Sequence, residues 1–186
     1  SQYGPGIAVG DIDNNGFDDF YVGGAKYQTG CLFVQQAGTG KFKPDTTAFV
    51  GDAVCEDVNS LFFDADDDKD LDLYVVTGGN EFFGEDKELL DRLYINDGAG
   101  HFRKDSLALP PMFTNKSSAT AADVDGDGDL DLFVAGRVVS YHYGQSPPSY
   151  LLINNGKGRF TDQTDKLAPK LKQAGMLTDA FWNDID

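Results

Sequence analysis

The sequence predicts an all-β fold, a β-propeller of four-stranded antiparallel blades, with about three blades plus the inner strand of a fourth. Three observations predict it. One Asp-rich turn recurs along the chain, the segments between its copies repeat as short strands, and the acidic charge is gathered in the turns. The first turn reads Asp11-Ile12-Asp13-Asn14-Asn15-Gly16-Phe17-Asp18-Asp19. It returns as Asp64-Ala65-Asp66-Asp67-Asp68-Lys69-Asp70-Leu71-Asp72, and as Asp123-Val124-Asp125-Gly126-Asp127-Gly128-Asp129-Leu130-Asp131. Asp184-Ile185-Asp186 opens a fourth copy. Successive copies start 53, 59 and 61 residues apart, and self-similarity at a near-fixed period marks a repeat architecture.

Within each period the strands follow in fixed order. The turn leads into Asp19–Val22, Asp72–Val76 or Asp131–Ala135, runs rich in β-branched and aromatic residues. Small residues follow, then a further strand at Cys31–Gln35, Arg92–Ile95 or Tyr150–Ile153. Next comes a Gly-x-Gly turn with Phe two residues on: Gly38/Gly40/Phe42, Gly98/Gly100/Phe102 and Gly156/Gly158/Phe160. In the last two copies Asn or Asp precedes the first Gly, a hairpin signal because those residues accept positive φ. A small-residue or apolar strand, such as Ser118–Ala122 or Thr178–Trp182, then enters the next turn. Four strands joined by short turns form an antiparallel sheet. A β-sandwich would not require the same turn chemistry at each period. The repeat units run over about 5–47, 56–107 and 116–165, with 176–186 starting a fourth, inside one partial propeller spanning 1–186. Short helical turns are expected at Glu85–Asp91 and Lys166–Gln173. A ring needs about 4–8 blades, so the chain is expected to be a segment of a longer protein, or to self-associate through its open blade edges.

Composition narrows the function classes. A hydrophobic fraction of 40% over 186 residues supports a packed core rather than disorder. No apolar run reaches the roughly 18–20 residues of a membrane span, so no membrane insertion is expected. The N-terminus shows no basic-then-apolar leader, as in a mature or excised chain. Of 31 acidic residues, 15 lie in the three turns against the single base Lys69, so most of the net charge of −16 sits there. Nucleic acid is not an expected partner of so acidic a chain. Cys31 and Cys55 form no zinc-like pattern; the sequence leaves open whether they pair as a disulfide or stand as separate thiols.

Carboxylates packed this closely repel unless a cation stands between them. Ca²⁺ takes about 6–8 oxygens, and carboxylates at turn positions 1, 3, 5 and 9 with the carbonyl of position 7 wrap one ion. The expected ligands are Asp11, Asp13, Asn15, the Phe17 carbonyl and Asp19 in the first turn. They are Asp64, Asp66, Asp68, the Asp70 carbonyl and Asp72 in the second, and Asp123, Asp125, Asp127, the Asp129 carbonyl and Asp131 in the third. Asp184 and Asp186 would begin a fourth set. About three structural Ca²⁺ ions are therefore expected, bound tightest by the third turn, which fits the pattern best. An EF-hand would carry Glu at position 12 between two helices; position 12 is Val22, Val75 and Val134, each in a strand-like run. Lys69 stands at position 6, where Gly is expected and a positive φ costs other residues about 1 kcal/mol or more.

The Asp-x-Asp-x-[Asp/Asn]-Gly-x-x-Asp turn, the strand after it and the Asn-x-Gly-x-Gly-x-Phe hairpin resemble FG-GAP/VCBS repeats. These are the blades of integrin-α-type propellers and of bacterial relatives, including cartilage-acidic-protein-like proteins. The resemblance covers nearly the whole chain and departs at Lys69. It implies about seven or eight blades, an extracellular, periplasmic or cell-surface location, and a role in adhesion or ligand binding. Such families also include carbohydrate-active enzymes, so a polysaccharide lyase or hydrolase on a propeller scaffold is the alternative. No catalytic residue is identified.

In an up-and-down blade the metal turns and Gly-x-Gly hairpins share one face. The other face carries two long loops, Gly78–Asp91 and Gly136–Ser149. Their Phe82, Phe83, Arg137, Tyr141, His142 and Tyr143 are the expected contacts for a protein or glycan ligand.

Overall fold

A computed structural model describes residues 4–142 and 144–183. Blade 1 comprises β1 (Ile7–Gly10), β2 (Asp19–Val22), β3 (Cys31–Gln36) and β4 (Lys41–Asp45). Blade 2 comprises β5 (Glu56–Phe63), β6 (Asp72–Gly78), β7 (Arg92–Ile95) and β8 (Arg103–Lys104). Blade 3 comprises β9 (Asn115–Ala122), β10 (Asp131–Val138), β11 (Tyr150–Ile153) and β12 (Thr161–Asp162). Each blade is a four-stranded sheet with its strands side by side in chain order, and every pairing is antiparallel. The register repeats as well: Gly10 pairs with Asp19, Phe63 with Asp72 and Ala122 with Asp131. Every Asp-rich turn therefore closes its blade's first hairpin from the same rung. The fold is all-β, a partial propeller.

Two expected elements differ. Thr178–Trp182 is not a strand, because a strand needs a paired neighbour and the described residues offer it none. The segment nevertheless lies against blade 3, with Leu177 N–H donating to the Gly136 carbonyl and Trp182 edge-on to Phe133. The expected turn at 166–173 splits into Thr164–Leu167 and Pro169–Gln173. Ala168 precedes a proline and takes ψ 60, outside the helical region that Pro disfavours for its predecessor.

Apolar alternation stacks the blades. All of β6 is buried, because its two faces serve two cores. Leu73 and Val75 join Ala8, Tyr21, Leu32 and Phe49 on the blade 1 side. Tyr74 and Val76 join Leu132, Val134 and Leu152 on the blade 3 side. The unbroken apolar run Leu73–Val76 at the centre of β6 is what a sheet covered on both faces requires. On blade 1, by contrast, Phe20 stacks on Phe33 and meets Phe42 edge-on, while Ile7 and Val9 are exposed.

A polar socket joins each blade to the next. Asp57 of β5 accepts hydrogen bonds from Tyr21 Oη (3.0 Å) and Gly24 N–H (2.7 Å) of blade 1, and pairs with Arg92. The matching position on β9 holds the opposite charge. Lys116 lies 3.3 Å from Asp91 and donates to the Leu89 and Met112 carbonyls. Tyr74, at the place of Tyr21, donates to Asp91 Oδ2 at 2.6 Å. Blade 1 has Gly30 where blade 2 has Asp91, and a Cβ there would lie 2.0 Å from Tyr21 Oη. At the third junction both partners are apolar, Phe133 and Leu177. The backbone bond persists: Asp57 N–H to Gly24 O and Leu177 N–H to Gly136 O are both 2.9 Å.

Burial pushes the Asp91 carboxyl up and the Lys116 ammonium down, opposing their attraction, so pairing only partly offsets desolvation. Lys116→Met alone is expected to destabilise the fold by about 3–5 kcal/mol, because it strands a buried carboxylate. Lys116→Met with Asp91→Asn should recover most of that loss. Urea unfolding of the wild type and both variants checks it, and equal losses in the two would refute the socket.

Candidate metal centres

The three turns fold alike because their side chains bind their own backbone. At position 1, one carboxylate oxygen accepts from the N–H of position 6: Gly16 to Asp11 (2.8 Å), Lys69 to Asp64 (3.0 Å) and Gly128 to Asp123 (3.1 Å). The side chain at position 5 accepts from the N–H of position 7: Phe17 to Asn15, Asp70 to Asp68 and Asp129 to Asp127. Position 6 has positive φ in all three copies, and Lys69 adopts it at +74°. Position 4 shares this conformation through Asn14, Asp67 and Gly126, a requirement absent from the sequence reading. Asn, Asp and Gly are the residues that tolerate it.

These turns bring carboxylates together. One oxygen from each of Asp11, Asp13 and Asp19 lies within 4.8 Å of the others, and so do those of Asp64, Asp66 and Asp72. In the third turn the converging set is Asp123, Asp125 and Asp127; it takes position 5 in place of Asp131. Metal–oxygen bonds of about 2.3–2.6 Å put facing ligand oxygens about 4.6–5.2 Å apart, so the spacing suits a hard cation. The second turn gives further support. Asp66 Oδ1 and Asp70 Oδ1 are buried without a hydrogen-bond partner among the described residues. Burial, then the neighbouring Asp68, push the Asp70 carboxyl up to about 6, and burial pushes Asp72 up to about 7. These sites favour a proton or a cation over bare negative charge.

Position 9 does a second job. Asp19, Asp72 and Asp131 are fully buried. Their Oδ2 atoms accept from the N–H of position 2: Ile12 (3.1 Å), Ala65 (2.9 Å) and Val124 (3.0 Å). Their Oδ1 atoms accept from the residue entering the Gly-x-Gly hairpin: Gln35 (2.6 Å), Asn96 (2.9 Å) and Asn154 (2.8 Å).

Asn96 and Asn154 reach onward into the neighbouring blade, a role the sequence reading missed. Asn96 Nδ2 donates to the Ile12 carbonyl in the turn of blade 1 (2.8 Å) and to Leu71 O (3.2 Å). Asn154 Nδ2 does the same to Ala65 O in the turn of blade 2 (2.8 Å) and to Leu130 O (3.1 Å). The signal was present: Asn recurs in the second and third repeats where the first has Gln35. The hairpin glycines serve contact as well as turn geometry. A Cβ on Gly156 would lie 2.5 Å from Asp129 Oδ2, and one on Gly98 3.1 Å from Asp70 Oδ2.

On the opposite face the two long loops meet. Phe83 and Tyr141 are edge-on at 5.5 Å, and Ser140 Oγ donates to the Phe82 carbonyl (2.9 Å). Phe82 lies under Lys26, and His142 Nδ1 sits 3.0 Å from the Ser140 carbonyl. Arg137 lines a cleft at the loop bases. Tyr143, Asp184 and Asp186 lie outside the described residues. Cys31 and Cys55 are not bridged: both are free thiols, Cys31 opening β3 of blade 1 and Cys55 buried ahead of β5 of blade 2, where burial raises its thiol.

Asn154→Ala would take the side-chain donor from the part-buried Leu130 carbonyl and one of two donors from the Ala65 carbonyl, which keeps Gly158 N–H. It is expected to cost about 1 kcal/mol in urea unfolding. Asn154→Gln, one methylene too long, should not restore it. Full stability in either variant would refute the inter-blade role.

No curated protein matches the chain. A family model, that of the FG-GAP-like repeat, matches residues 64–134. That stretch begins at the second Asp-rich turn and runs through the third into β10. From its own turn chemistry, its strand order and this match, the chain carries an FG-GAP-like repeat over residues 64–134.

Proposed function

We propose that this chain is a calcium-stabilised β-propeller binding module that works outside the cytoplasm. The observation that carries it is the convergence of carboxylate oxygens in three turns, with Asp66 Oδ1 and Asp70 Oδ1 buried and unpartnered among the described residues. Several flexible oxygens around one point suit Ca²⁺ better than Mg²⁺, which holds a stricter octahedron and keeps its waters. Each ion supplies positive charge that neutralises the turn. The chain's own part is structural. Positions 1 and 5 hold the turn's shape, and position 9 ties it to the hairpin of the same blade. The carbonyl of position 2 then receives the next blade through Asn96 or Asn154.

The binding role falls to the other face, where exposed Phe83 and Tyr141 crown two loops that brace each other. The exposed Ile7 and Val9, beside the aromatic row of Phe20, Phe33 and Phe42, support a further blade of the same kind covering blade 1.

Calorimetric titration of metal-free protein should find about three calcium ions. Asp123→Ala should remove one of them. Chelator should lower the melting temperature, since a ligand at 100 times its dissociation constant adds about 2.7 kcal/mol. A melt indifferent to chelator overturns the reading.

A further inference from the structure

We propose that the cleft between the inner strands of blades 2 and 3 binds a neutral saccharide, with Asn115 and Ser118 as its hydrogen-bonding floor. This rests on the reading that the face opposite the metal turns binds ligand. The cleft measures about 830 Å³, and its wall includes Asn59, Asn80, Asn115, Ser117, Ser118 and Thr178. That volume falls within the range of small-ligand sites.

Unspent hydrogen-bonding capacity marks the floor. Asn115 is 4% exposed and Ser118 3%, yet Asn115 Oδ1 and Ser118 Oγ have no partner among the described residues. The amide's orientation is fixed. Ser140 Oγ spends its proton on the Phe82 carbonyl, so it can only accept from Asn115 Nδ2, at 2.6 Å. Oδ1 is therefore the end left over, an acceptor awaiting a donor. An unpaired buried group of this kind costs about 1–3 kcal/mol, which a bound hydroxyl would relieve.

The strands are also deformed at this end. In blade 2 the pairing skips Val58, and in blade 3 it skips Ser117 and Arg137. All three skipped residues line the cleft. Bulges re-aim side chains and concentrate beside binding sites. These three turn aside from the ladder at the same place on both blades.

Most charges of the wall are engaged elsewhere, and the exposed Asp179, which accepts only from Ala180 N–H among the described residues, disfavours an anion; together these select a neutral ligand. Lys116 is held by Asp91 and two carbonyls, and Glu81 pairs with Lys26. Glu56 and Arg137 have partners of their own. What stays unspent on the buried floor is an amide oxygen and a hydroxyl. A sugar hydroxyl both donates and accepts, so it satisfies either one. Phe83 and Tyr141 stand on the loops above and offer ring faces or edges to the apolar side of a pyranose.

The test is a glycan array of neutral and acidic oligosaccharides, probed with the whole chain in calcium buffer. Calorimetry of the best neutral binder then compares Asn115→Leu, Ser118→Val and the remote surface variant Leu107→Ser. Circular dichroism shows which variants fold; Ser118→Val keeps the Asn115–Ser140 bond and carries the test where Asn115→Leu does not fold. Neutral saccharides should bind. Asn115→Leu and Ser118→Val should each weaken binding about tenfold or more, with Leu107→Ser unchanged. A blank array, a preference for acidic glycans, or undiminished binding by folded cleft variants overturns the proposal. The chelator melt judges the calcium reading separately. A blank array with a calcium-dependent melt removes this site alone, and cleft-dependent binding with an indifferent melt removes the calcium reading alone.

Discussion

Asp19, Asp72 and Asp131 are the fixed points of this molecule, and their burial is the constraint that the rest answers to. A carboxylate taken out of water is costly unless hydrogen bonds and positive charge surround it. Each of these three meets the first demand by accepting one backbone N–H from its own turn and one from the hairpin across the blade. That pair of bonds is also what shapes the blade, because it locks the turn between the first two strands to the turn between the last two. The second demand is unmet by protein groups: burial still pushes the Asp72 carboxyl up to about 7, and the bases near these turns are few. A bound cation would answer both the repulsion among the turn carboxylates and the residual cost at position 9.

From that point the stacking follows. Because Asn96 and Asn154 each bond to position 9 of their own blade and to position 2 of the preceding turn, three turns are joined in one line. Behind the line the sheets press together through alternating faces of β6, and the sockets close the far end. The sockets show which part of an interface is fixed. The backbone bond from Asp57 to Gly24 recurs at Leu177 and Gly136 with the same length. The side chains at the three junctions change from carboxylate and guanidinium, to ammonium and carboxylate, to two apolar groups. Geometry is kept while chemistry is exchanged, as expected where a buried ion pair and an apolar pair of similar volume are nearly equal in free energy.

This division explains what the sequence disclosed. The turns, the strands after them and the hairpins are local features, written in residues within one repeat, and they read directly as a propeller blade. Asn96 and Asn154 were legible only as turn formers, since the carbonyls they serve lie 84 and 89 residues away. The sign reversal between Asp57 and Lys116 was hidden for the same reason: each residue looks exposed and solvated until its neighbour blade is in place. Thr178–Trp182 carries a strand's residues but has no partner strand among the described residues, and pairing, not propensity, makes a strand. Position 4 escaped notice because Asn14 and Asp67 are acceptable both as ligand-rich loop residues and as positive-φ residues, so the pattern carries no mark of the second role.

The metal turns and the cleft sit at opposite ends of the same inner strands. Phe63 of β5 adjoins one and Glu56 lines the other, and a strand of eight residues spans about 26 Å. Exposed charges interact little beyond a screening length of about 8 Å at physiological salt, so an ion at the turn does not act on the cleft through its field. Its influence has to pass through register. A turn held rigid fixes where β5 and β9 begin pairing with β6 and β10, and the register then decides which residues are left over at the far end. Val58, Ser117 and Arg137 are those residues. Were the turns to slip by one position, every side chain of the inner strands would change face, and Asn115 would leave the cleft floor. The acidic turns therefore matter to the cleft as the anchor that sets which residues line it.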